Sequence, residues 1–157
     1  MSELLERLVA EASELQFDRF TLDDAWVLGG RLRAAAAEAG HPVAIAIWFG
    51  QQRVFHAALP GATADNDAWL DRKHRVVERY GQASLLVGEE FRAKGEDFDV
   101  HARLDPREYA AHGGVVPIRI REVGVIGAVG VSGLPELADH ELVVEQLRAH
   151  LRDRAND

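Results

Sequence analysis

Asn66, Trp69, Arg72 and Lys73 recur at short helical spacing, Tyr109 and His112-Gly113-Gly114 precede a glycine-rich segment, and Ser132 and Asp139-His140 close it. Together these residue types could hold a small ligand. Arg72 and Lys73 suit a carboxylate, with the arginine as its bidentate partner. Trp69 and Tyr109 suit the walls of a flat molecule, and His112 can ligate iron or carry a proton near neutral pH. A purely structural account uses the same residues: Trp69 in the core, Asp139 in the first turn of a helix, and Arg72 with Lys73 paired to Asp67 or Asp71. The residues alone leave both accounts open.

Other motifs are weaker. Gly124, Gly127, Gly130 and Gly133 recur every third residue, but within a strand pattern and not at the strand-to-helix turn of a dinucleotide fingerprint. Glycines so placed mark close approach of backbone, a ligand or another subunit. His112-Gly113-Gly114 has the form of an esterase oxyanion loop, yet Gly130-Val131-Ser132-Gly133-Leu134 lacks the final glycine of a nucleophile elbow. His74 and Glu78 could share a metal, but no second histidine follows in the required register, so a surface histidine in a helix ion pair is expected. The Glu3/Glu6 and Glu11/Glu14 pairs read as a solvated acidic helix start, His41 as a loop residue, and His150 as a partner of a helix C-terminus. No firm metal site emerges.

The positioning elements follow from periodicity. Leu4, Leu5, Leu8 and Leu15 stripe a first helix, over residues 1–16. Thr21 and Asp24 form a capping-box start for a second, with Leu22, Ala25, Trp26, Gly29, Leu32, Ala36 and Ala39 on its apolar face and Gly40 at its end. Val43 to Phe49 and Arg53 to Leu59 form a hairpin. Asp65 to Tyr80 is helical, with Ala68, Trp69, Val76 and Tyr80 expected inside, and Ser84 to Lys94 is a shorter helix. Glu96 to Ala111 reads as a long loop with a helical turn. Strands Val115 to Ile120 and Val125 to Val131 follow, with Gly124 supplying a positive φ between them and Ile126 on the face of Ala128 and Gly130. Pro117 marks a strand unpaired on one side. A last helix runs from Pro135 to about Arg152, with His140, Val143, Val144, Leu147 and Leu151 inward. A further strand is expected near Leu15 to Phe20 or Asp97 to Ala102. Hairpins separated by helices predict an α/β/α sandwich of the α+β class, with one core domain over residues 21–152.

Composition narrows the function. A chain of 157 residues with 47% hydrophobic and 28% charged residues is long enough for one ordinary globular domain without staples. A net charge of -8 without a basic cluster excludes nucleic acid and anionic membranes as natural partners. No apolar run approaches a membrane span, and the acidic start MSELLERLVAEASEL is unlike a secretory signal. The absence of cysteine excludes disulfides and thiolate metal sites and is compatible with a reducing cytoplasm.

The segments DNDAWLDRKHRVVERYG and REYAAHGGVVPIRIREVGVIGAVGVSGLPELADHELVVEQL resemble the GlcG/HbpS-like superfamily, the haem-degrading domain family, and within it a group of small bacterial and fungal proteins. The likeness runs from about Asp23 to Leu151. Asn66, Trp69, Arg72 and Lys73 fall on a DN-x-x-W-x-x-RK pattern; His112, Gly113, Gly114 and Pro117 on HGG-x-x-PI; Ser132, Gly133, Asp139 and His140 on the SGLP and DH pattern. The resemblance implies a profilin-like fold, a five-stranded antiparallel sheet with helices on both faces, and a homo-oligomer. Some members bind haem, so a small-ligand binding protein with haem or another anionic ligand at the residues named is expected; the start without an export signal adds the cytoplasm, unlike the secreted haem-binding relatives, and the chemistry of histidine makes His112 the candidate iron ligand. Two other readings stand beside it. One is an enzyme, acting by oxidative haem breakdown or by His112 acid/base chemistry; the other is a ligand-free assembly protein.

Overall fold

The computed structural model describes residues 1–155. Several of its helices begin where short polar side chains satisfy the free N–H groups of the first turn. Ser2 caps α1 (Glu3–Glu14), and Thr21 with Asp24 forms the expected capping box of α2 (Leu22–Ala39). At α3 (Ala64–Tyr80) the Asn66 side chain accepts from the Thr63 N–H at 2.9 Å. The remaining helices are α4 (Ser84–Ala93), a single turn α5 (Phe98–His101) inside the long loop, and α6 (Glu136–Ala155).

Five strands, β1 (Gln16–Phe17), β2 (Ala44–Phe49), β3 (Gln52–Ala58), β4 (Val115–Ile120) and β5 (Gly124–Ser132), form one sheet in the order β1-β4-β5-β2-β3. The two hairpins are antiparallel, but β1 runs parallel to β4 through Gln16↔Arg119 and Phe17↔Ile120. The sheet is therefore mixed and not wholly antiparallel: β4 runs in the direction that β1 already runs. Of the two places expected for a fifth strand, the first forms it and the second is α5. Because β1 covers only Arg119 and Ile120, Pro117 needs no ladder partner on that side.

Alternation along the strands builds two unlike cores. Val43, Ile45, Ile47, Val116, Ile118, Val129 and Val131 face α2 and α6 in a large branched aliphatic core. On the other face Ala44, Ala46, Ala128 and Val115 meet Leu70 and Val77 of α3. A side chain at Gly130 would stand 2.6 Å from Val115 and 3.0 Å from Leu70, so the close approach marked by this glycine is that of Val115 on β4 and of α3 above it. Small residues here let a helix lie low on the sheet.

Several expectations change. A bulge between Ile118 and Arg119 sets Arg119 against Val125 and leaves Ile126 as the extra residue, so Ile126 packs with the α2/α6 core and not with Ala128. Trp26 and Leu22 are exposed, because α2 buries the stripe Ala25, Leu28, Gly29, Leu32 and Ala36, one helical step away. Ala68 and Tyr80 are likewise exposed on α3, whose buried stripe is Leu70, Lys73, His74, Val76 and Val77. His74 is not a surface residue: it stacks on Trp48 at 4.1 Å and bonds the Gly50 carbonyl. His150 is also buried, against Phe17 and Phe20. The connecting turn draws a positive φ from Glu122 as well as from Gly124.

Candidate functional site

At the end of the sheet where β5 finishes, the chain must pass from strand to helix while β4 begins beside it. The result is an open cavity of about 360 Å³ between the N-terminal half of α3, the His112 loop and the start of α6. Asn66, Trp69 and Lys73 reach it from one stripe of α3, His112 from the loop, Ser132 from the end of β5 and Asp139 from α6. These are the expected residues that the fold brings together. Asp65, Leu134 and Glu136 join them, and Glu136 had a signal, since it lies one helical turn before Asp139 on the same face.

Lys73 and Asp139 form the floor. Both are nearly fully buried, with Lys73 Nζ donating to Asp139 Oδ2 at 3.3 Å. Asp139 also accepts from the Leu134 N–H at 3.0 Å and the Gly133 N–H at 3.4 Å, which fixes the β5–α6 connection. Burial pushes the Asp139 carboxyl up to about 6, against the pull of Lys73 and of those N–H groups. Burial also holds the Lys73 ammonium below its ordinary range, against the attraction of Asp139. Both shifts favour the uncharged forms of the pair. Gly114 makes room for it: its φ is +138°, and a Cβ there would stand 2.7 Å from Lys73 Nζ. Gly113 packs against the Glu136 carbonyl, where a Cβ would come within 2.4 Å, and so holds the His112 loop to α6.

A second pair forms the wall. His112 Nδ1 lies 3.0 Å from Glu136 Oε2, and Arg92 stands 3.5 Å from the other oxygen of that carboxylate. The hydrogen bond from His112, aided by its charge and that of Arg92, holds Glu136 below the usual carboxylate range. Trp69 meets the His112 ring edge-on at 5.5 Å and is half-buried. With Nδ1 engaged, Nε2 of His112 is the ring atom left for a ligand.

Three expected residues lie elsewhere. Arg72, rotated from Lys73 on α3, stacks its guanidinium on Trp69 at 4.0 Å outside the cavity lining. Tyr109 lines a separate cleft with Trp48, His74 and Arg75. His140 points to α1, where its Nε2 meets Glu11 Oε1 at 2.8 Å. The structural partners expected for Arg72 and Lys73 are also taken, Asp71 by Arg53 and Asp67 by His56. A larger cavity, about 850 Å³, runs along α1 and is lined mainly by apolar groups such as Leu5, Val9, Leu86 and Val125.

Haem is the group that the resemblance implies. A porphyrin needs broad apolar walls, whereas this cavity offers Trp69 and Leu134 and presents Asp65, Glu136 and Asp139 to any propionate. His112 could meet an iron atom, and no cluster of three metal-binding side chains occurs among the described residues. The residues of the cavity do not fit haem.

A mixed five-stranded sheet layered by helices, carrying a polar cavity at the strand ends, defines a GlcG/HbpS-like α+β domain. The chain belongs to the HbpS-like family, whose description is haem degrading protein HbpS-like and whose model matches residues 20–148. It is 59% identical over 143 residues to a UPF0303 protein of Streptomyces coelicolor, spanning 88% of this chain and 90% of that one. Among solved structures, the Ybr137w protein is 31% identical with a TM-score of 0.88, over 96% of this chain and 89% of that one. The PduOC:haem complex is 17% identical with a TM-score of 0.62, covering 78% and 88% of the two chains, a likeness of fold.

Proposed function

We propose that the protein binds a compact polar ligand carrying an anionic or carbonyl oxygen in the cavity between α3 and α6, as a homo-oligomer of the cytoplasm. The observation that carries this is Lys73. Its ammonium is buried in the cavity floor, yet Asp139 is its one hydrogen-bond acceptor among the described residues, and an ammonium has three donors. A ligand oxygen completes that set. Trp69 supplies a flat wall, and His112, oriented by Glu136, supplies a second polar contact at the mouth. The volume suits a small metabolite, because ligand cavities begin near ~300 Å³. Lys73 is already paired with Asp139, so recognition comes from directed hydrogen bonds more than from bare positive charge.

Native mass spectrometry of protein taken from its own cells tests the reading. The expected spectrum shows a closed oligomer with a retained small molecule, and that molecule is absent from Lys73→Met. Empty wild-type protein that also gains no thermal stability from short carboxylates or oxo acids would sink the proposal. Added haem decides between ligand classes: a Soret shift abolished in His112→Ala would replace the compact ligand with haem. No such shift is expected.

A further inference from the structure

We propose that Lys73 captures a short aldehyde or oxo acid as a Schiff base, with Asp139 as the proton carrier; this rests on reading the cavity as a ligand site and names the chemistry of its occupant.

The choice of lysine is the first observation. Two of the chain's eighteen basic side chains are lysine, Lys73 and Lys94, and the rest are arginine. Every lysine or arginine ion pair seen among the described residues is made by arginine except Lys73–Asp139. For a purely structural tie to a buried carboxylate, arginine would bring a fixed fork and more donors, whereas only lysine can give up its proton and become a nucleophile. Among the described residues Lys73 is the one buried lysine or arginine, and it lines a cavity.

Geometry supplies the rest. Nζ sits against Gly114, where any side chain would intrude, and within proton-transfer reach of Asp139 Oδ2 at 3.3 Å. The N–H groups of Gly133 and Leu134 hold the carboxylate facing the amine. Burial works on both partners in the useful direction, toward free amine and carboxylic acid. His112 and Glu136 stand at the mouth of the same cavity.

The step balances without a further reagent. The Lys73 ammonium passes a proton to the Asp139 carboxylate. The amine nitrogen then attacks the carbonyl carbon, a C–N bond forms, and the carbonyl π electrons move to oxygen, which takes the proton back from Asp139. The carbinolamine nitrogen gives a second proton to Asp139, which hands it to the hydroxyl. Water leaves as the nitrogen lone pair forms the iminium. One ammonium and one carbonyl become one iminium and one water.

The test is hydride trapping of the intact protein. Glycolaldehyde and pyruvate are each incubated with the protein and cyanoborohydride near pH 7, the modified amines are located by peptide mass, and pyruvate binding without hydride is measured by calorimetry. Lys73 should be alkylated at least about tenfold faster than exposed Lys94 or the N-terminal amine, and Asp139→Asn should slow Lys73 by about tenfold or more while leaving Lys94 unchanged. Lys94→Arg should leave trapping at Lys73 intact. Lys73 reacting no faster than Lys94 with either compound overturns the proposal, and so does an unchanged Lys73 rate in folded Asp139→Asn. Pyruvate that binds saturably but is not trapped at Lys73 overturns the imine and leaves the ligand site standing. Absence of both binding and trapping removes the two together.

Discussion

Asp139 and His140 are consecutive on α6, both about 1% exposed, and each is held by an oppositely ionising side chain from a distant part of the chain. Their surroundings differ. Successive helical side chains point about 100° apart, so Asp139 turns to Lys73 and an open cavity of about 360 Å³, whereas His140 turns to Glu11 of α1 above a void of about 20 Å³. The first pair has donors to spare for a visitor. The second is closed in by Leu8, Leu15 and Val144, with room for at most one water. Burial of a polar pair is thus a poor marker of function by itself; what separates these two is access, since His140 Nδ1 also lacks a hydrogen-bond partner but lies beside only the small void.

The strongest way to sharpen the contrast is to break the closed pair. Glu11→Ala removes the acceptor of His140 and leaves a small hole between α1 and α6, so a loss of about 3 kcal/mol is expected in urea unfolding, at the lower end for breaking a buried pair. Ligand retention and Lys73 trapping should be untouched. If instead Glu11→Ala abolishes binding while the protein stays folded, the two pairs act as one unit and the comparison fails.

The open pair should show itself through pH. Asp139 is raised to about 6 from 3.8. The folded protein therefore holds a proton there that the unfolded chain has lost. A group raised in this way contributes stability that is full below the unfolded value and is lost as pH rises through the folded one. Between about pH 4 and pH 6 the wild type should lose about 2 kcal/mol relative to Asp139→Asn, the full worth of that rise being discounted for solvent in the cavity. Unfolding free energies of both proteins across that range check the sign. A constant difference would mean that Asp139 stays ionised and that Lys73 outweighs burial.

How much of this was legible in the sequence depended on geometry within single elements. Asn66, Trp69 and Lys73 belong to one helical stripe, and such a stripe can be read from spacing. Arg72 and His140 are the immediate neighbours of Lys73 and Asp139, and adjacency in sequence made them look like partners although helical rotation points them elsewhere. Glu136 has a one-turn spacing from Asp139, but an acidic residue directly after Pro135 is what any helix start favours, so its local sequence does not mark it as a site residue. Strand β1 has two residues, too few for any periodicity, and its parallel pairing depends on where β4 enters the sheet. His74 lies in a polar stretch and is buried only because Trp48 of another strand stacks on it, a tertiary effect with no local signature. The overall α+β layering was legible because its hairpins and helices alternate so clearly; the access of each polar pair was not, because it depends on which helix lies opposite.

The smallest effect concerns the outer guard of the closed pair. Arg148 binds Glu14 through two hydrogen bonds, at 2.7 and 3.0 Å, and stands 3.7 Å from Glu11. The Glu14 hydrogen bond holds the guanidinium charge firmly and lowers Glu14 in turn. Yet Arg148 and Glu14 are 39% and 47% exposed, so water and salt screen most of what the pair gains. Arg148→Ala should therefore cost less than about 1 kcal/mol, and that loss should shrink further in high salt. A loss as large as that of Glu11→Ala would show that the guanidinium holds Glu11 against His140. The closed pair would then be a triad extending to the surface, more exposed than its burial suggests and nearer in character to the open site.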